Sequence, residues 1–216
     1  MNIVPLTLSV LTILGNGVLS QQIDYNSEDF AATPASYAFS IWTLIYINLV
    51  VSSATYDWKS PSLAWLALSC AANLGWLYFW KDGKTTQSLV CLVIITIACW
   101  MILATTKNMK RISRLGFGVY AGWVTVATVL NLAILLRKRK KITEERDTQL
   151  GLFVAVVLCI LPFIWRQTRM RSLPSIPFTW AWAAFAIYVK NKNSRSSLGN
   201  VALGATLINA VNAFVR

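Results

Sequence analysis

The chain has 216 residues, of which 56% are hydrophobic and 13% are charged, and its mean hydropathy is +0.55. A soluble domain carries about 25% charged residues, so this composition excludes an ordinary soluble enzyme and a disordered segment and indicates an integral membrane protein. The 20 Lys and Arg residues outnumber the 8 Asp and Glu residues, which gives a net charge of +12. Most basic residues lie in short breaks between apolar runs, a distribution that favours contact with anionic lipid headgroups over nucleic-acid binding.

Eight apolar runs predict membrane-spanning helices, because backbone groups within a bilayer must be hydrogen-bonded inside the segment. The runs are 3–20, 35–56, 62–80, 88–106, 115–136, 149–165, 178–189 and 197–215. The seventh run has only 12 residues, so seven spans are the alternative if it does not cross. If all eight cross, nine Lys and Arg residues lie on one side and eleven on the other. That difference is too small for the positive-inside rule to fix the orientation.

The longest polar connection follows the fifth run. Five consecutive basic residues at 137–141 precede four charged residues at 144–147. We therefore predict an all-α membrane protein with three parts. These are a five-helix bundle over 1–137, a charged connector over 138–148 and an extension of two to three spans over 149–216.

The chain offers few residues for catalysis or metal binding. It contains no histidine, which excludes a His-based triad and any His-ligated metal or haem. All four cysteines, Cys70, Cys91, Cys99 and Cys159, lie inside apolar runs and form no CxxC pair, as expected of small packing residues. The first five runs contain no internal charge, carboxylate pair or activated nucleophile. We predict a protein that is not an enzyme and has no metal site or resident cofactor.

Three predicted helices carry aromatic side chains beside a polar group on one face. The sets are Phe39, Trp42 and Tyr46 on the second run, Asn73, Trp76 and Trp80 on the third, and Tyr120, Trp123 and Asn131 on the fifth. Two interpretations stay open for them. One is hydrogen bonding and aromatic packing between helices, and the other is a pocket for a flat, mostly apolar ligand oriented by a few polar groups.

The same residues carry a resemblance to a known family. Its motifs are YAGWVTVATVLN at 120–131, TPASYAFSIWTLIY at 33–46 and NLGWLYF at 73–79. At these motifs the chain resembles the tryptophan-rich sensory protein, or translocator protein, family over about residues 1 to 137. The added C-terminal runs are similar to those of longer relatives. The first loop lacks the Trp-rich segment that helps to cover the pocket in short members.

The resemblance implies a five-helix bundle that encloses a pocket for porphyrins, sterols or synthetic aromatic ligands. By position, the residues that would line it are Trp42, Tyr46, Asn73, Trp76, Trp123 and Asn131. The tryptophans would stack on the ligand and the asparagines would donate or accept hydrogen bonds. Because no imidazole is available, a tetrapyrrole would be held through its ring faces and propionates.

Two functions follow as hypotheses. The first is a membrane receptor or carrier for a hydrophobic planar ligand of the tetrapyrrole or sterol class. The alternative is a structural subunit of a multi-subunit membrane complex that keeps the fold without ligand function. The expected partners are the lipid bilayer, anionic lipid headgroups at the basic loops, and either subunits of a membrane complex or a second copy of the chain. Nucleic acid is not an expected partner. The resemblance implies a mitochondrial membrane in a eukaryote and the cell membrane in a bacterium.

Overall fold

A computed structural model describes residues 3–21, 30–139, 143–168 and 170–214, and all their regular secondary structure is helical. A 3-10 helix, Ser36–Ser40, leads into the second of eight α-helices. These are α1 (Ile3–Ser20), α2 (Ile41–Thr55), α3 (Ser62–Lys81), α4 (Thr85–Thr105), α5 (Arg111–Lys138), α6 (Glu144–Arg166), α7 (Ser175–Asn191) and α8 (Ser196–Phe214). The predicted all-α fold class is confirmed.

Successive α-helices alternate in direction through the bundle, as the order of the contacts between α1 and α2, between α4 and α5, between α5 and α7 and between α6 and α8 shows. We call side A the face at which α1, α3, α5 and α7 begin, and side B the face at which they end. Among the described residues, six segments are long and apolar enough to cross a membrane, namely α1, the 3-10 helix with α2, α3, α4, α5 and α6. The seventh run forms a helix of 17 residues rather than 12, because α7 begins at Ser175 and tolerates Pro177 in its first turn. Ten of its 17 residues are buried against the rest of the protein.

The first helix buries its polar stripe and turns its apolar residues outward. Its buried residues are Pro5, Ser9, Thr12 and Asn16, which share one helical face at spacings of four, three and four. Outward-facing side chains include Leu14, which is 62% exposed. Small and polar residues between helices with apolar residues toward lipid are typical of membrane bundles. The pattern supports membrane embedding independently of hydropathy.

The extension packs directly on α5. Gly118 and Gly122 form a GxxxG pair whose face meets the first turns of α7, so the motif serves contact within the chain. A Cβ at Gly122 would lie 3.0 Å from Thr179 Cβ and 3.1 Å from the Ile176 carbonyl oxygen. The Trp180 indole Nε1 donates a hydrogen bond to the Gly122 carbonyl at 3.1 Å. Because glycine has no side chain, α5 and α7 can approach each other closely at these two positions.

A buried carboxylate joins the connector to the start of the second span on side B. Asp147 accepts from Arg137 Nε at 2.7 Å and from the Ala31 backbone N–H at 3.1 Å. Asn191 Nδ2 donates to the Ala31 carbonyl at 2.9 Å. Residues 140–142 of the predicted connector lie outside the described residues, and the division of the chain at the connector stays a prediction. The described contacts tie α5, α6, α7 and the segment before the 3-10 helix together.

Replacing Gly122 tests the α5–α7 contact. We expect Gly122→Ala to lower the free energy of unfolding by about 1–3 kcal/mol through overpacking. Gly204 is the control because a Cβ there meets nothing within 4 Å, so Gly204→Ala should leave stability unchanged or raise it by about 0.5–1 kcal/mol. Equilibrium unfolding in mixed detergent measures both. Equal effects of the two substitutions would contradict the close contact.

The Asp147 carboxylate supplies a second stability test. Asp147→Asn removes the one counter-charge that the described residues provide for the mostly buried Arg137 guanidinium, and we expect unfolding to become easier by about 3–5 kcal/mol. The matched variant is Asp57→Asn, which removes a partner of Lys59 from an exposed pair and should leave the melting temperature unchanged. If both variants melt at the wild-type temperature, the buried pair does not hold side B together.

Candidate functional site

Four helices meet at a chain of buried hydrogen bonds in the interior of the bundle. Asn16 Nδ2 of α1 donates to the Tyr46 hydroxyl of α2 at 2.9 Å and to Asn73 Oδ1 of α3 at 2.6 Å. Asn73 Nδ2 donates in turn to the Tyr120 hydroxyl of α5 at 2.7 Å. Both amides and Tyr120 are buried, and hydrocarbon offers no water to replace a lost bond. The amides therefore fix the relative register of α1, α2, α3 and α5.

Aromatic rings cover this chain on the side nearer side B. Trp42 stacks on Trp76 with ring centroids 5.5 Å apart and an interplanar angle of 22°. Trp42 also contacts Tyr46 at 5.6 Å and meets the edge of Tyr120 at 6.0 Å. We call these residues the central cluster; its members are Asn16, Trp42, Tyr46, Asn73, Trp76 and Tyr120.

The central cluster contains four of the six residues assigned by resemblance, which are Trp42, Tyr46, Asn73 and Trp76. Asn16 and Tyr120 belong to it but were not among the six. The buried stripe of α1 could have identified Asn16, because it follows Ser9 by seven residues and so lies on the same helical face. Which of these residues line a ligand site stays a prediction.

The other two predicted residues make separate contacts. Trp123 is 3% exposed and its ring meets the edge of Phe39 at 5.7 Å and 87°. Asn131 lies eleven residues beyond Tyr120, about 16 Å along the helix axis. Its Oδ1 accepts from Ser88 Oγ at 3.4 Å and its Nδ2 donates to the Ala127 carbonyl at 3.1 Å. Neither residue shares a described hydrogen bond with the central cluster.

Two polar atoms of the central cluster have no hydrogen-bond partner within the described residues. They are Asn16 Oδ1, an acceptor, and the indole Nε1 of Trp76, a donor, and both are buried. Leaving a buried polar atom unpaired costs about 1–3 kcal/mol. The cluster can therefore accept one hydrogen bond and donate one without breaking those it already makes.

Two surface cavities of the described residues lie elsewhere. One, of about 490 Å³, lies between the start of α6 and the α7–α8 connection on side B, and the other, of about 530 Å³, lies between α2, α5, α7 and α8. None of the six predicted residues lines either cavity. No group of three or more His, Cys, Asp or Glu side chains that could hold a metal ion occurs within the described residues.

The sequence model of the TSPO-like protein family matches residues 3–215. The chain belongs to this family. Membership, together with the six apolar helices, identifies a multi-pass integral membrane protein. The match also covers the extension, so the TSPO-like region includes α6, α7 and α8 and is wider than the three motifs. No curated protein and no solved structure matches the chain significantly.

A double-mutant cycle tests the amide chain of this TSPO-like protein. We expect Asn16→Ala and Asn73→Ala to be non-additive by at least about 0.5 kcal/mol in unfolding free energy, because the two side chains bond directly. Asn16→Ala combined with Asn131→Ala is the control and should be additive, since these residues share no described contact. Unfolding in mixed detergent gives all the values. Additivity of the first pair would show that the bond contributes no stability.

Proposed function

We propose that this protein is a non-catalytic receptor or carrier for a hydrophobic planar ligand of the tetrapyrrole or sterol class, bound at the central cluster. In a eukaryotic cell we propose a mitochondrial membrane as its location, and in a bacterium the cell membrane. Membership of the TSPO-like family and the composition of the cluster both support this function.

The observation that carries the proposal is the unpaired donor and acceptor beside stacked indoles. A ligand carbonyl or carboxylate can accept from Trp76 Nε1, and a ligand hydroxyl or pyrrole N–H can donate to Asn16 Oδ1. The indole faces of Trp42 and Trp76 supply a flat apolar surface. Ligand sites combine apolar walls with a few polar groups in this way.

Binding between the two indoles requires them to separate. Two van der Waals contacts add to about 7–8 Å, whereas the centroids of Trp42 and Trp76 are 5.5 Å apart. The rings therefore have to move apart by at least about 2 Å to admit a planar ligand between them. The coupling between stacked indoles would be lost at the same time, which gives binding an optical signature.

The contact between Trp42 and Trp76 also favours a second function. Each ring covers the other where a ligand ring would stack, as expected if the cluster serves only to join helices. The protein would then be a structural subunit of a membrane complex, with its partners docked on the loops or on α6, α7 and α8.

A ligand titration distinguishes the two functions. With protoporphyrin added to detergent-purified protein, we expect saturable quenching of Trp fluorescence and loss of the circular-dichroism couplet of the stacked indoles. Trp76→Phe removes the unpaired donor and should weaken binding about 10-fold or more, which corresponds to a hydrogen bond of about 1.5 kcal/mol. A parallel titration with cholesterol tests the sterol class.

Trp65→Phe is the matched control for this titration. It removes one indole from the same helix, eleven residues from Trp76 and about 16 Å along its axis, so affinity should stay at the wild-type value. If folded, monodisperse protein binds neither protoporphyrin nor cholesterol, the receptor proposal is overturned. Co-purification with other subunits in fixed stoichiometry would then support the structural function.

A further inference from the structure

A lipid-facing groove opens toward side A between α2, α5, α7 and the end of α8. Its volume is about 530 Å³ and its apolar walls include Leu44, Val51, Ile112, Val119, Phe178 and Phe214. It extends along α5 from Ile112 to Val119, about 10 Å of helix. No member of the central cluster lines it. Its size lies within the range of small-molecule sites.

Two buried hydroxyls in this groove lack hydrogen-bond partners within the described part of the chain. Ser113 of α5 is 1% exposed, and its Oγ is unpaired, as is the buried Oγ of Ser175 in α7. Both residues line the groove. Hydroxyl groups within a helix usually find a partner when buried. An occupant with oxygen acceptors would supply partners for both.

Three exposed basic residues lie close in the chain to residues at the side-A end of the groove. Lys110 and Arg111 precede the groove residue Ile112, Arg171 lies three residues before the groove residue Pro174, and all three cationic side chains are exposed. Asp57 is the one carboxylate that the described residues place on side A, and it pairs with Lys59 at 2.8 Å. The three cations therefore have no acidic partner among the described residues of their own side.

Two helix starts add to this positive potential. Neither α5, which begins after Lys110, nor α7, which begins after Pro174, has its first turn capped by a side chain. The groove includes Ile112 and Ser113 in the first turn of α5, and Pro174 and Ser175 at the start of α7. At α5 the first N–H groups and the helix dipole favour a bound anion. At α7 the contribution comes mainly from the dipole, because Pro177 has no N–H and the Ile176 N–H donates to the Leu173 carbonyl at 3.2 Å.

We propose that this groove binds an anionic phospholipid. One acyl chain lies between α2, α5, α7 and α8, and the phosphate lies at Lys110, Arg111 and Arg171 beside the two helix starts. The Ser113 and Ser175 hydroxyls donate to ester or phosphate oxygens. A neutral sterol would leave the three cations without a counter-charge. A second copy docked face to face would bring two basic surfaces together.

The thermal shift caused by added lipid tests the proposal. We expect phosphatidylglycerol to raise the melting temperature of detergent-purified wild-type protein more than phosphatidylcholine or cholesterol does. Arg111→Gln with Arg171→Gln should weaken the apparent phosphatidylglycerol affinity about 30-fold, as expected for two basic side chains at a lipid surface. Arg139→Gln with Lys192→Gln removes two exposed charges from side B and should leave that affinity unchanged.

A second variant separates lipid binding from a general loss of stability. Ser113→Ala with Ser175→Ala removes two unpaired hydroxyls, so lipid-free protein should melt at or above the wild-type temperature. The same variant should show a smaller rise in melting temperature with phosphatidylglycerol. These opposite effects are expected only if the hydroxyls bind the lipid.

Three outcomes would overturn the proposal. Equal stabilisation by phosphatidylcholine and phosphatidylglycerol would show that the negative charge of the headgroup does not contribute to binding. An equal loss of phosphatidylglycerol affinity in the side-B control would show that the loss comes from the net charge of the protein and not from a site in the groove. If the serine variant instead abolishes a thermal shift caused by cholesterol, the groove is assigned to a sterol. If it abolishes a concentration-dependent dimer, the groove is an interface with a second copy.

Discussion

The structure depends on how closely α5 approaches its neighbours. α5 contacts α2, α4, α6 and α7, and glycine permits two of these contacts. A Cβ at Gly116 would collide with Asn48 of α2, and one at Gly122 would press on Thr179 and the Ile176 carbonyl of α7. Since lipid tails are as apolar as the side chains, helices in a bilayer associate mainly through close packing and hydrogen bonds. The approach of α7 to α5 connects the extension to the first five helices.

Polar groups are placed where that close packing excludes lipid. Asn16, Asn73 and Tyr120 bond to one another in the interior, and Thr96 of α4 bonds Thr128 of α5 at 2.9 Å. Each such bond specifies the register between two helices, because a shift would leave amides or hydroxyls unpaired in hydrocarbon. Asn16 Oδ1 and Trp76 Nε1 are two of the nine buried side-chain atoms without a partner among the described residues, and native exceptions of this kind call for an explanation such as a ligand.

The extension also contacts the 3-10 helix that leads into the central cluster. Trp182 of α7 donates its indole N–H to the Ala38 carbonyl at 3.1 Å and meets the edge of Tyr37 at 5.4 Å. Ala35 N–H donates to the Ala186 carbonyl at 3.2 Å. These contacts fix the 3-10 helix that carries Phe39 toward Trp123 and leads to Trp42. The first loop has no Trp-rich segment, and the 3-10 helix that follows this loop is held in place by α7.

The sequence by itself determined the eight helices, their order and the membrane class. The apolar runs locate the helices but not all of their ends. The helices α5 and α6 begin at Arg111 and Glu144, four and five residues before their runs, and the start of α6 is capped by the Thr143 hydroxyl. The three motifs also identified Trp42, Tyr46, Asn73 and Trp76, which prove to be neighbours. Each helical stripe is a local property with a known period, so it can be read without a fold.

Only the tertiary structure decided which stripes meet. Trp123 and Asn131 share α5 with Tyr120, yet Trp123 faces Phe39 and Asn131 faces Ser88, because rotation and rise along one helix carry them to different neighbours. Asn16 joins the central cluster because α1 turns its polar stripe inward. The groove on side A likewise combines residues from 44 to 214 of the sequence. No local pattern encodes such a meeting, since it depends on helix crossing and depth, which are set by contacts between residues far apart in the chain.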